Sequence, residues 1–75
     1  MLLQERMTQT KFSANEQLIV DSMLERRGQL KSYSAPQVAQ ATYTSPSVIV
    51  QVAKELSFQG WRELKASFLA KIEYL

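Results

Sequence analysis

The sequence contains neither cysteine nor histidine. Their absence excludes disulfide bonds, thiolate nucleophiles, the most common general base and the usual ligands of zinc. Carboxylates alone still allow a hard cation. However, Glu16 and Asp21 are spaced to lie on different sides of a helix, which is typical of solubilising charges and not of an acid–base pair. We therefore expect no enzymatic activity, no metal and no cofactor.

The sequence also lacks long apolar runs, glycine-rich phosphate loops and internal repeats. No stretch approaches the roughly 20 apolar residues of a membrane span, and Glu5 interrupts the first residues before a signal peptide could form. We expect a cytoplasmic protein that does not contact membranes. With 75 residues, of which 45% are hydrophobic and 21% charged, residues 1–75 are expected to form a single globular domain with one modest core.

Residues 14–27 are predicted to form the first long helix. Ser13 and Glu16 have the spacing of a capping box, in which each side chain bonds the backbone amide of the other residue. Apolar residues then recur at helical intervals, at Ile19, Val20, Met23 and Leu24. Gly28 is predicted to end the helix in the left-handed conformation. Residues 1–10 are predicted to form a short additional helix or arm, with one apolar side made by Leu2, Leu3 and Met7.

Two closely spaced segments each begin with serine and have proline in the first turn. Ser34 predicts a helix over residues 35–42, and Ser45 predicts another over residues 46–56. β-Branched residues in the second segment also suit a strand, but the caps and the proline positions favour a helix. In the first helix of the pair, the predicted inward positions are Val38, Ala39 and Ala41.

Residues 46–56 divide into an apolar face and a polar face at the helical period of about 100° per residue. The inward arc contains Ile49, Val52, Ala53 and Leu56, with Val48 at its margin. The opposite arc contains Ser47, Val50, Gln51 and Lys54. An amide can bond an adenine edge and a valine can touch a thymine methyl group, so this face suits the major groove of DNA. A plain solvent face with one stray valine is the alternative.

Residues 61–74 are predicted to form the last helix. Its apolar stripe is typical of a core-facing surface and consists of Trp61, Leu64, Phe68, Ile72 and Leu75. Leu69 and Tyr74 fall outside the stripe, so we expect the N-terminal helix, a second subunit or a downstream domain to cover them. The predicted fold is all-α, a small bundle of four main helices in which residues 35–42 and 46–56 form a helix-turn-helix.

Charge is distributed unevenly along the chain, whose net charge is +2. Residues 26–54 contain four basic residues and no acidic one, whereas the rest contains five basic and seven acidic residues. Basic residues clustered beside a helix pair suit phosphate contacts, although a solvated surface of accidental polarity is the alternative. The second helix of a helix-turn-helix reads base edges near its N-terminus. The predicted DNA contacts are therefore Thr44, Ser45, Ser47, Val50, Gln51, Lys54, Arg26, Arg27 and Lys31.

Three stretches, FSANEQLIVDSML, YSAPQVAQA and SPSVIVQVAKELSFQGWRELK, resemble the N-terminal DNA-binding domain of the RpiR family of bacterial transcriptional regulators. The resemblance covers residues 12–69. Its last part is similar to the family pattern S-x-x-T-V-V-R-F-x-K-x-L-G-F-x-G-[FYW]-x-E-[LF]-K, matched by Ser45, Val50, Lys54, Leu56, Phe58, Gly60, Trp61, Glu63, Leu64 and Lys65. The chain departs from the family at Val48, Gln51 and Val52, where threonine, arginine and phenylalanine are usual, and at Tyr43, where glycine is usual.

The resemblance implies a sequence-specific domain that binds double-stranded DNA as a homodimer and regulates genes of sugar or phosphosugar metabolism. Because glutamine replaces an arginine on the second helix of the pair, its preferred DNA sequence should differ from that of its relatives. The resemblance further implies that a phosphosugar effector binds a downstream domain, which is absent from this chain. A helical protein–protein interaction module, acting through Leu69, Tyr74 and the N-terminal helix, is the alternative function.

Overall fold

The computed structural model describes residues 3–72 of the chain. Every regular element in that range is helical, so the predicted all-α fold is confirmed. The elements in chain order are α1 (Leu3–Gln9), α2 (Ala14–Arg26), a 3₁₀ helix (Arg27–Ser32), α3 (Ala35–Ala41), α4 (Pro46–Glu55) and α5 (Trp61–Ile72). The expectations for Leu2, Tyr74, Leu75 and the side chain of Ile72 lie outside the described part of the chain.

The start of α2 is fixed by the predicted capping box. The Ser13 hydroxyl accepts a hydrogen bond from the Glu16 amide at 3.3 Å, and the Glu16 carboxylate accepts one from the Ser13 amide at 2.8 Å. These bonds satisfy amides that the helix itself leaves without partners. One turn further along, α2 turns its apolar face inward and buries Ile19, Val20 and Met23.

The end of α2 differs from the prediction, because Gly28 does not adopt the left-handed conformation. Neither glycine in the described residues has a positive φ; instead, Arg27 has a φ of 48°. Gly28 lies inside the 3₁₀ helix, in a segment that was predicted to be a loop. This turn places Leu30 fully inside the core. Burying a leucine contributes about 1.5–3 kcal/mol, which offsets the roughly 1–3 kcal/mol cost of an arginine in a sparsely populated backbone region.

Helices α3 and α4 form the predicted helix-turn-helix pair, and each ends one residue before its predicted boundary. Ser34 closes a second capping box with Gln37 at the start of α3. After α3, Tyr43 adopts a φ of 57°. The amides of Tyr43 and Thr44 donate to the carbonyls of Gln40 and Ala39, at 3.3 and 2.8 Å respectively. This is the Schellman arrangement, which ends α3 sharply and lets α4 begin within a few residues.

A single core holds the pair in place. Helix α4 packs on α2, α3 and α5, while the 3₁₀ helix packs on α5 and α2, and α1 packs on α5. The predicted inward residues of α3 are buried at Val38 and Ala39, but Ala41 is exposed, so that part of the prediction is wrong. Buried side chains from the other elements include Leu3, Met7, Trp61, Leu64 and Phe68.

The connector between α4 and α5 repeats the turn that ends α3. Ser57 has a φ of 73°, and the amides of Ser57 and Phe58 donate to the carbonyls of Lys54 and Ala53 at 3.0 and 2.8 Å. Leu69 of α5 is half-buried and packs against the core, so most of the expected uncovered surface at this position is already covered. No helix within residues 3–72 is long and apolar enough to cross a membrane.

Candidate nucleic-acid interface

Helix α4 presents the polar outer face that its sequence predicts. Ile49, Val52 and Ala53 are fully buried, and Leu56, directly after the helix, is buried with them. Val48 is half-buried at the margin of this inner face. The opposite side of the helix is exposed and carries Ser47, Val50, Gln51 and Lys54. A hydroxyl, an aliphatic group, an amide and an ammonium therefore lie side by side on one surface of the second helix of the pair.

The N-terminus of α4 is not capped by a side chain. Ser45 has the extended backbone of a capping residue, but its hydroxyl makes no capping hydrogen bond. It lies instead 2.9 Å from the hydroxyl of Ser47. The Val48 amide donates to the Ser45 carbonyl at 3.1 Å, and Pro46 has no amide hydrogen, so the Ser47 amide is the uncapped donor of this turn. Backbone donors at a helix N-terminus attract anions such as phosphate.

The turn before α4 is held by side-chain hydrogen bonds. The buried hydroxyl of Thr42 donates to the Val38 carbonyl at 2.8 Å, and it lies 2.9 Å from the Thr44 hydroxyl. Thr44 itself is half-buried. Of the residues whose hydroxyls were predicted to contact DNA, Ser45 and Ser47 are exposed and Thr44 is half-buried.

Arg26 is bound within the protein. Its guanidinium donates to the hydroxyls of Ser22 and Tyr33, at 3.0 and 2.7 Å. The guanidinium carbon also lies 4.8 Å from the centre of the Tyr33 ring, within the range of a cation–π contact. Arg26 thus links α2 to the residue that precedes the first cap of the pair.

The other basic residues occupy different elements. Arg27 and Lys31 are exposed on the 3₁₀ helix, which packs on α5 and α2. Lys54 is exposed in the last turn of α4. The structure therefore brings Lys54 onto the same face as Gln51, and it places Arg27 and Lys31 on a separate element that flanks the pair in the sequence.

The carboxyls of Glu16 and Glu55 influence each other's pKa, which the sequence did not predict. Glu16 is only 6% exposed, so its expected role as a solubilising charge is wrong. The hydrogen bond from the Ser13 amide is the main interaction that lowers the pKa of Glu16, against the opposing effect of burial. Desolvation, together with the hydrogen bond to Glu16 and its negative charge, raises the pKa of Glu55. The pair connects the start of α2 to the end of α4.

The most distinctive part of the family pattern lies in the scaffold. Trp61 is buried, and its indole nitrogen donates to the Tyr33 carbonyl at 3.4 Å. Lys65 donates to the same carbonyl at 2.9 Å. A Cβ on Gly60 would meet no atom within 4 Å, so packing does not require glycine there. The F-x-G-W-x-E-L-K segment therefore fixes α5 against the start of the helix pair.

Comparison with known families agrees with this geometry. The family model for the helix-turn-helix domain of the rpiR family matches residues 1–73, which is nearly the whole chain. No solved structure matches the chain. Domains of this family are of a regulatory kind and bind DNA. The chain therefore belongs to the rpiR family of helix-turn-helix domains, the DNA-binding part of transcriptional regulators.

Proposed function

We propose that the chain binds double-stranded DNA in a sequence-specific manner, with the outer face of α4 in the major groove. The observation that carries this proposal is the division of α4 into a fully buried inner face and an exposed face with Val50, Gln51 and Lys54. Gln51 is suited to bond an adenine edge, and Val50 to touch a thymine methyl group. Lys54 is suited to bind a phosphate at the groove edge.

The N-terminal end of α4 supports a phosphate contact beside the groove. The Ser45 and Ser47 hydroxyls are exposed, and the Ser47 amide has no side-chain cap. Together with the Thr44 hydroxyl, they are donors of the kind that bind DNA phosphates. In this arrangement α3 braces across the DNA backbone while α4 reads the bases.

Basic residues outside the pair have a supporting role in this proposal. Arg27 and Lys31 are exposed and can bind flanking phosphates. Arg26 is engaged by Ser22 and Tyr33, so it would add positive charge while keeping the start of α3 in position. Because each phosphate neutralised adds only a modest, salt-dependent contribution to affinity, one chain with so few basic contacts would bind weakly.

The working form that we propose is a homodimer on an operator with two half-sites, since two weak contacts made together raise affinity. Membership of the rpiR family supports a role in a bacterial regulator of sugar or phosphosugar genes, located in the cytoplasm. In this proposal a phosphosugar effector binds a separate downstream domain.

A selection of bound duplexes from a random DNA pool tests the proposal. We expect the 75-residue chain to enrich a common sequence. A pool that shows no shared sequence after several rounds would contradict specific binding. A chain that retains no DNA, yet sediments as a complex with itself or another protein, would instead support the helical interaction module.

The Lys54→Ala variant tests the phosphate contact on α4. We expect weaker binding and a salt dependence of log Kd that is shallower by about 1, because one released counterion is lost. Lys71→Ala removes an equal charge from an exposed position on α5, outside the helix pair, and it should leave the slope unchanged. The measurement is a titration of labelled duplex over a series of salt concentrations. An equal slope for wild type and Lys54→Ala would contradict the assigned role of Lys54.

A further inference from the structure

Tyr43 combines exposure with an unfavourable backbone conformation. It is 95% exposed, the highest value among the large hydrophobic residues of the described chain. Its φ of 57° lies in the left-handed region, where glycine is favoured and other residues are strained. The related RpiR pattern usually has glycine there. A side chain that is almost wholly in solvent contributes very little packing, so protein stability does not account for a tyrosine at this position.

Ser57 provides an internal comparison. It occupies the equivalent position after α4, with a φ of 73°, and it also stands where the family pattern has glycine. The Ser57 hydroxyl, however, accepts a hydrogen bond from Arg6 of α1 at 3.0 Å. Ser57 thus has a contact within the fold, whereas the Tyr43 ring projects away from it.

The position of Tyr43 relates it to the proposed DNA surface. It directly precedes Thr44 and the exposed hydroxyls of Ser45 and Ser47, at the end of α4 that would face DNA. A residue just outside the N-terminus of a reading helix is placed beside the groove, where the sugar–phosphate backbone runs. The phenol is a neutral donor of the type that bonds phosphate oxygens, and its ring can lie against a deoxyribose.

We propose that the Tyr43 hydroxyl donates a hydrogen bond to a DNA phosphate oxygen at the edge of the groove that α4 enters. This inference rests on the proposed DNA binding and adds a residue outside the predicted contact set. Tyr43 thereby positions α4 on the duplex without reading a base. The Schellman turn holds the backbone at Tyr43, so the side chain leaves the chain at a defined point beside α4.

Tyr43→Phe, Tyr43→Gly and Ser57→Gly test this assignment in the full chain. Each is titrated against the duplex selected by the wild type and against a random duplex of equal length, over a salt series. Tyr43→Phe should weaken binding about three- to tenfold on both duplexes, because it removes one hydrogen bond to a phosphate. Its salt slope should equal that of the wild type, since the phenol carries no charge.

Thermal unfolding separates the contact from a folding defect. Tyr43→Gly should unfold at a higher temperature than the wild type, because glycine relieves the left-handed strain, and yet bind DNA at least as weakly as Tyr43→Phe. Ser57→Gly should also relieve strain but keep wild-type affinity. Wild-type affinity for Tyr43→Phe would overturn the Tyr43 contact and leave the proposed DNA binding standing. A loss of affinity confined to the selected duplex would also overturn it, because such a loss indicates base reading. A wild-type chain that binds neither duplex would overturn the proposed function together with it.

Discussion

Helices α3 and α4 carry nearly the same start and stop signals but end up with different chemistry. Each follows a serine, has proline in its first turn and ends in a Schellman turn with a non-glycine residue at positive φ. At α3 the Ser34 hydroxyl caps the helix, whereas at α4 the Ser45 hydroxyl bonds Ser47. Helix α3 therefore has its Gln37 amide satisfied by a side chain, whereas α4 leaves the Ser47 amide without a side-chain cap.

The two helices also use a glutamine side chain differently. Gln37 of α3 uses its side-chain oxygen to accept a hydrogen bond from the Ser34 amide at 2.8 Å. Gln51 of α4 lies on an exposed face between Val50 and Lys54. An identical residue type thus serves capping in one helix and is presented to solvent in the other. The use of polar side chains for capping therefore distinguishes α3 from α4, the candidate reading helix.

The largest expected effect concerns the two faces of α4. Ile49→Ala should lower the free energy of unfolding by about 2–5 kcal/mol, because it leaves a cavity in the core that α4 shares with α2, α3 and α5. Val50→Ala, the adjacent residue on the exposed face, should change it by less than about 0.5 kcal/mol. Urea denaturation followed by circular dichroism measures both values. Similar losses for the two variants would refute the assignment of inner and outer faces.

The second largest expected effect is on discrimination between DNA bases, which should depend on α4 and not on α3. Gln51→Ala is expected to lose about 1–3 kcal/mol of discrimination at one base position, because a bidentate base contact disappears. Gln40→Ala, at an exposed glutamine of α3, should leave discrimination unchanged. The measurement is the ratio of affinities for the selected duplex and for its single-base variants. Equal losses on selected and random DNA would remove Gln51 from base reading.

The two serines should differ in their effect on stability. Ser34→Ala is expected to cost about 1 kcal/mol of unfolding free energy, since it opens a capping box. Ser45→Ala should cost less, because its hydroxyl caps no amide in the folded chain. Thermal and urea unfolding of both variants tests the comparison. If Ser45→Ala proves the more destabilising of the two, the difference in capping is not real.

The smallest expected effect depends on pH and lies at the end of α4. The pKa of Glu55 is raised above its ordinary value of 4.5, so its stabilising contribution is full below pH 4.5 and is lost as pH rises through the raised pKa. The pKa of Glu16 is lowered, so its contribution is full above pH 4.5 and is lost as pH falls through the lowered pKa.

Glu55→Gln should therefore raise the melting temperature slightly at pH 7, because it removes the repulsion from Glu16 and supplies an amide donor that the ionised carboxylate lacks. The gain should shrink as the pH approaches 4.5. Glu25→Gln, which removes a carboxylate about 13 Å along α2 from Glu16, is the matched control and should show no such gain. A melting temperature of Glu55→Gln that follows the wild type at every pH would contradict the carboxyl contact.

Several structural features could be read from local sequence because their interactions span only a few residues. The capping boxes at Ser13 and Ser34 depend on neighbours three positions away, the start of α4 follows a serine and a proline, and the buried faces depend on helical periodicity. The inner face of α4 was predicted in full, from Ile49 to Leu56. The set of DNA contacts stays a prediction, although the exposure of Gln51 and Lys54 agrees with it.

Other features could not be predicted because distant parts of the chain create them. A 3₁₀ helix takes the place of the expected left-handed Gly28, and it buries Leu30 among residues that are distant in the sequence. Arg26 was predicted to contact phosphate because it is basic. Its guanidinium instead donates to the hydroxyl of Tyr33, seven residues further on. The family pattern has glycine at the position of Ser57, and that glycine was the signal from which a positive φ could have been predicted there.

The sequence by itself determined which segments form α-helices, where most of them start and which face of α4 is apolar, because caps and periodicity act over one or two turns. Only the tertiary structure decided which polar groups remain available for a partner. Trp61 and Lys65 converge on the Tyr33 carbonyl, and the charge of Glu16 raises the pKa of Glu55, because folding brings together residues that lie far apart in the chain. A side chain's chemistry is encoded locally, but its freedom to bind DNA depends on whether the fold has already used it.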